Sequence, residues 1–180
     1  MDSGAAVSRV LVLGGSRSGK SAFAEQLVAD QPDVVYLATS GGDPADAEWA
    51  ARLAAHRARR PAGWTTLETT APSELLRRGT VLVDSVTTWV AALMDETGVW
   101  DETDTAAPGK LADRCDALVN NWVMTPAHVV AVSDEVGLGV VPGTRSGRLF
   151  RDTLGTVNQR LAATADEVWF VVAGLPQRLR

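Results

Sequence analysis

The stretch from Gly14 to Ser21, GGSRSGKS, constrains this chain more than any other, because it satisfies GxxxxGK[ST] between a strand-like run and a helix-like one. VLVL, Val10 to Leu13, is short, apolar and closed by Gly14 and Gly15, which predicts a buried strand. In SAFAEQLVAD, Ala24, Leu27 and Val28 recur at helical spacing, Phe23 and Leu27 stand four apart, and Asp30, Pro32 and Asp33 stop the helix. A loop in that context turns successive backbone N–H groups inward around phosphate oxygens, at the positive end of the helix that follows. Gly14, Gly15, Ser16, Arg17, Ser18 and Gly19 would form this cradle. Lys20 adds a mobile charge that can follow a phosphate being transferred, and the Ser21 hydroxyl is placed to ligate Mg²⁺. The plainer alternative is a glycine-rich turn that merely caps a helix, and the flanking strand and helix weigh against it.

The rest of the chain alternates in the same way. VVYLAT from Val34 is a second strand, and WTTLET, TVLVDS, HVVAVSDEV and EVWFVVAG supply others, the last closing the series. Between them lie an Ala-rich helix over 43–60 with Trp49, Leu53 and His56 along one stripe, a short helix in PSELLRRG, and helices starting at VTTWVAALM, over 110–124 and over 148–163. The last of these puts Leu149, Phe150, Leu154, Val157 and Leu161 on one face. DETGVWDETDTAAPG and GLGVVPGTRSG read as loops. Continuously apolar strands alternating with helices predict an α/β fold with a mostly parallel sheet covered on both faces, and ligands in such sheets bind beyond the carboxyl ends of the strands. Asp84 stands at such an end, after TVLV. It suits a second metal-holding acid; the plainer alternative is an N-cap for the helix that follows, and the two roles need not exclude each other.

One domain over 1–180 is expected, with residues 1–8 a disordered N-terminus. A formal net charge of −5 disfavours nucleic acid or an anionic membrane as partner. Cys115 is the only cysteine, which rules out an internal disulfide and a thiolate cluster within one chain. No stretch reads as a signal peptide or membrane span, so a cytoplasmic location is expected.

There are two histidines. His128, at the start of VVAV after Pro126, reads as a surface or strand-edge residue. His56 has Arg52, Arg59 and Arg60 on its own helical face, which favours the neutral, nucleophilic imidazole. From pattern alone, a packed histidine sharing a stripe with Trp49 and Leu53 on an amphipathic helix is the stronger reading.

Taken together, GGSRSGKS, YLATS, RLAAHRARRPAGW, TVLVDSVTTWV, DEVGLGVVP and FRDTLGTVNQRLAATADEVWFVVAG resemble, in order and spacing, the bifunctional adenosylcobinamide kinase and adenosylcobinamide-phosphate guanylyltransferase family, over about Val10 to Gly174. The resemblance implies a P-loop NTPase with a RecA-like sheet, an enzyme that phosphorylates adenosylcobinamide with ATP or GTP, and a second step that transfers GMP from GTP to that phosphate through a covalent histidine. By position, His56 matches the guanylylated residue, beside Lys20 as the other catalytic group. Gly14 to Ser21, Ala38, Thr39, Ser40, Arg57, Ala58, Arg59, Arg60, Glu68 and Asp84 match nucleotide contacts, and Ser21 and Asp84 the metal site. A homotrimer with active sites near subunit boundaries is also implied. Many relatives carry two adjacent histidines where this chain has Ala55 and His56, and often Glu where it has Asp84; the acidic stretch 95–105 matches nothing assigned. A kinase lacking the guanylyl step and a non-catalytic nucleotide-binding switch are the rival readings, although the guanine-reading NKxD motif of such switches is absent.

Overall fold

The computed structural model describes residues 7–31, 33–39 and 61–180. Among the described residues, seven strands form one sheet: β1 (Ser8–Gly14), β2 (Val34–Ala38), β3 (Thr65–Glu68), β4 (Thr80–Asp84), β5 (His128–Asp134), β6 (Glu167–Val172) and β7 (Leu175–Arg178). Their order is β3-β2-β4-β5-β1-β6-β7, every neighbour pair parallel except β6 with β7. The described helices are α1 (Lys20–Leu27), α2 (Val86–Thr97), α3 (Ala107–Met124) and α4 (Arg145–Thr164), with a 3₁₀ turn at Pro72–Leu76.

Side chains on a strand alternate between faces, so β1 feeds two cores at once. Leu11 and Leu13 join the apolar faces of α2, α3 and α4, while Val10 and Val12 pack with Ala24 and Val28 at α1. Trp89 and Trp122 anchor the larger core and are fully buried. Each indole N–H is satisfied, Trp89 by Thr70 O at 2.9 Å and Trp122 by Thr164 Oγ1 at 3.1 Å. Burying a large apolar side chain stabilises by roughly 1.5–3 kcal/mol, so a double-sided sheet gains on both faces from the same backbone. Among the described residues no helix is long and apolar enough to cross a membrane.

Four expectations change. Ser8, assigned to a disordered tail, opens β1 and bonds His128. The acidic loop is shorter than its composition suggests: α2 runs on through Asp95 to Thr97 and stops where Gly98 takes φ 68°, and α3 starts at Ala107 with Pro108 in its first turn. Val99 within it is buried. α4 starts at Arg145, where Thr144 caps it by accepting from the N–H of Gly147 at 3.1 Å. Finally, β6 does not close the sheet. A two-residue turn, Ala173 and Gly174, both at positive φ, folds back an antiparallel β7. The helix expected over 43–60 lies outside the described residues.

Candidate active site

β1 ends at Gly14, and the chain turns through Ser16–Gly19 before α1 starts at Lys20. Arg17 at φ 57° and Gly19 at φ 94° make the bend. Gly14 is required for space: a Cβ there would meet Ser18 Oγ at 2.5 Å and Val171 O at 2.6 Å. The loop is also held from the side, because Gly174, in the β6–β7 turn, donates its N–H to Ser18 O at 2.7 Å. Lys20 folds back across it, its Nζ 3.1 Å from Gly15 O and 2.5 Å from Asp134 Oδ1.

Two acids meet this loop from neighbouring strand ends. Asp134 finishes β5, in register with Gly14, and Asp84 finishes β4 one strand further out. Asp84 Oδ1 accepts from Ser21 Oγ at 3.4 Å, and its Oδ2 accepts from the Tyr36 hydroxyl at 2.6 Å. A hydroxyl and a carboxylate at that separation offer hard oxygen donors, which suits Mg²⁺, an ion that takes one or two carboxylates and leaves room for water and phosphate oxygens. Asp84 does not cap α2. That task falls to Ser85, whose Oγ accepts from the Thr88 N–H while the Thr88 side chain accepts from the Ser85 N–H. The sequence alternative of a capping Asp84 is thereby corrected.

Of the other residues expected to contact nucleotide, Ala38, Thr39 and Glu68 are described. Thr39 is 1% exposed, and its hydroxyl donates to Ser85 O at 2.5 Å and lies 2.8 Å from Thr88 Oγ1, tying β2 to the start of α2. Ala38 is buried beside Asp84 in register. Glu68 is exposed at the end of edge strand β3, four strands from β1, which is roughly 19 Å at ordinary strand spacing. Ser40, His56, Arg57, Ala58, Arg59 and Arg60 lie outside the described residues. His128 opens central β5, half-buried at the opposite end of the sheet, its Nδ1 2.6 Å from Ser8 Oγ.

Asp134 was not singled out from sequence, although the signal that marked Asp84, an acid ending an apolar strand, marks it too. Its backbone is pinned on both sides: its N–H donates to Thr87 Oγ1 at 2.7 Å, and its carbonyl accepts from Asn158 Nδ2 at 3.0 Å. Asn158 is 4% exposed and accepts from Ser133 Oγ at 2.7 Å. The VNQR segment on α4 therefore grips the end of β5.

A glycine loop between β1 and α1, a lysine and serine at its exit, and acids at the ends of the next two strands define an α/β P-loop NTPase with a RecA-like, mostly parallel sheet. A solved structure agrees on fold: an ATPase from the type III secretion system of pathogenic bacteria superimposes with a TM-score of 0.57 at 13% identity, over 95% of this chain and 56% of that one. Residues 10–179 match the family described as cobinamide kinase / cobinamide phosphate guanyltransferase, and the chain belongs to it. The bifunctional adenosylcobalamin biosynthesis protein CobU of Salmonella typhimurium is 42% identical over 95% of this chain and 99% of its own length. CobU of Escherichia coli is 39% identical with the same coverage, and CobP of Pseudomonas aeruginosa 39% identical over 96% of this chain and 97% of its own.

Proposed function

We propose that this chain, as one domain, phosphorylates the aminopropanol hydroxyl of adenosylcobinamide and then guanylylates the product, giving adenosylcobinamide-GDP. Supporting this are membership of the family and the single observation that Lys20, Ser21, Asp84 and Asp134 converge on one phosphate cradle. In the first step the substrate oxygen bonds to the γ-phosphorus of ATP or GTP, the bond to the β-phosphate bridge breaks, the hydroxyl proton leaves and a nucleoside diphosphate departs. The backbone N–H groups of 15–20 orient the triphosphate, and Lys20 neutralises charge that grows on it. Mg²⁺, held by Ser21 and Asp84, would supply further charge neutralisation.

In the second step one imidazole nitrogen of His56 bonds to the α-phosphorus of GTP and pyrophosphate leaves. The phosphate of adenosylcobinamide phosphate then takes GMP from the nitrogen, restoring the ring. Splitting the transfer lets one cradle serve donor and acceptor in turn, with Arg57, Arg59 and Arg60 as anchors for phosphates. A homotrimer acting in the cytoplasm, where its triphosphate substrates are made, completes the proposal.

The experiment is labelling with GTP carrying ³²P at the α position. An acid-labile, base-stable label, lost in His56→Ala while phosphorylation of adenosylcobinamide largely persists, is expected. Label that survives acid, or that persists in His56→Ala, removes the histidine from the mechanism.

A further inference from the structure

The Lys20–Asp134 contact is a close ion pair in the cradle itself, 2.5 Å long, with side chains 12% and 25% exposed. A phosphate-binding loop concentrates positive charge, and its lysine is the cation a terminal phosphate would meet. Here that cation already has an anionic partner. The backbone that carries the carboxylate is fixed beside the loop: the Asp134 N–H and carbonyl are held by Thr87 and Asn158, and the next N–H, of Glu135, donates to Gly14 O at 3.1 Å. Those three bonds fix the end of β5 to α2, to α4 and to the strand that enters the loop.

We propose that Asp134 is an internal stand-in for the terminal phosphate, one that holds Lys20 and yields it when a triphosphate enters. The inference rests on the nucleotide-binding reading of this site and goes beyond it by assigning a residue that sets affinity and release. Binding must exchange a carboxylate for a phosphate on Lys20 and leave the two anions as neighbours, which weakens binding. Departure of pyrophosphate or a nucleoside diphosphate is assisted by the same exchange in reverse. An enzyme whose one cradle must empty between a kinase step and a guanylyl step gains from such a competitor.

The test is calorimetric titration of parent, Asp134→Asn and Asp134→Glu with β,γ-imido-ATP and with inorganic pyrophosphate, each with Mg²⁺. A like charge near solvent at this range is worth roughly a factor of ten in binding. Asp134→Asn should therefore bind both probes about tenfold more tightly, and Asp134→Glu should stay near the parent. In the kinase assay the Asn variant should show a lower KM for triphosphate together with a lower kcat, whereas general damage to the loop raises KM. If Asp134→Asn does not fold, Asp134→Ser removes the same charge and is expected to tighten binding likewise. Unchanged or weaker binding in a folded neutral variant overturns the proposal while leaving the nucleotide site intact; a parent chain that binds neither probe overturns both.

Discussion

The two ends of the sheet are built differently. Where the strands begin, polar groups are matched across neighbours: Ser8 with His128, and Arg9 with Asp166, through both the Arg9 N–H at 2.7 Å and its guanidinium at 3.4 Å. The Asp166 N–H returns a bond to Arg9 O at 2.8 Å, and Arg180 donates to the carbonyls of Ala162, Ala163 and Ala165 at the end of α4. Those N–H bonds from Arg9 hold the Asp166 carboxyl below its ordinary pKa. Where the strands finish, the backbone takes positive φ at Arg17, Gly19, Ala173 and Gly174, and Ser18 Oγ is buried without a hydrogen-bond partner among the described residues. One end closes the fold with polar pairs matched across neighbouring strands, and the other keeps costly conformations and concentrated charge in place, as ligand-binding ends do.

The largest effect that would break this contrast is at Lys20. Lys20→Ala should lower both half-reactions by roughly a hundredfold or more if, as proposed, each uses the same triphosphate cradle. Its melting temperature should fall only modestly, because the substitution leaves Asp134 without its ion-pair partner but does not touch the apolar cores on the two faces of the sheet. Near-normal phosphorylation of adenosylcobinamide by this variant would take the loop out of the chemistry.

A glycine pair sharpens the comparison at the next level. Gly14→Ala forces a methyl against Ser18 Oγ and the Val171 carbonyl; the carbonyl belongs to β6 and cannot move without the sheet, so a loss of about 1–3 kcal/mol is expected, with weakened nucleotide binding. At Gly15 a Cβ meets nothing within 4 Å, and Gly15→Ala should leave stability near that of the parent. Chemical denaturation of the two variants reads the difference directly, and equal losses would mean the tight approach of β1, the loop and β6 is not what holds the cradle.

Much of this was legible in the sequence because each signal was local. GGSRSGKS announced the cradle, the β-branched runs β1, β4 and β5, and the 3.6-residue stripes α1, α2 and α4. What escaped depended on contacts between distant segments. All four residues of β7 are exposed and one of them is a proline, so no alternation marks it, and it exists because a positive-φ Ala173–Gly174 turn folds it onto β6. That same turn supports the phosphate loop at Ser18, 156 positions away by residue number. Asp134 carried the same strand-end signal as Asp84, but its pairing with Lys20 follows from β5 lying next to β1, which no local pattern states. A cap at Asp84 stays open in the sequence for a subtler reason: Asp84 and Ser85 are both good capping residues, and only the structure shows Asp84 turned to Ser21 and Tyr36 while Ser85 takes the helix.

The smallest expected effect lies at the opposite end and comes from His128. Burial pushes its pKa below the usual 6.5, a shift that the nearby Glu167 carboxylate opposes. A depressed folded-state pKa means that the unfolded chain takes the proton first, so stability grows with pH across the window between the two values. His128 thus contributes fully above about 6.5, and this contribution is lost as pH falls through the folded-state value. Urea denaturation of the parent and His128→Gln between pH 7.5 and 5 should show a shallower decline in the variant, and subtracting the two curves removes the effect of every other titrating group, His56 included. Nucleotide affinity measured above pH 7 should be the same for both, because His128 stands at the start of β5 and the cradle at its end. Parallel stability curves would mean that His128 exchanges its proton as freely folded as unfolded; a change in nucleotide affinity would mean that the two ends of the sheet are coupled through β5, and the division between them would fail.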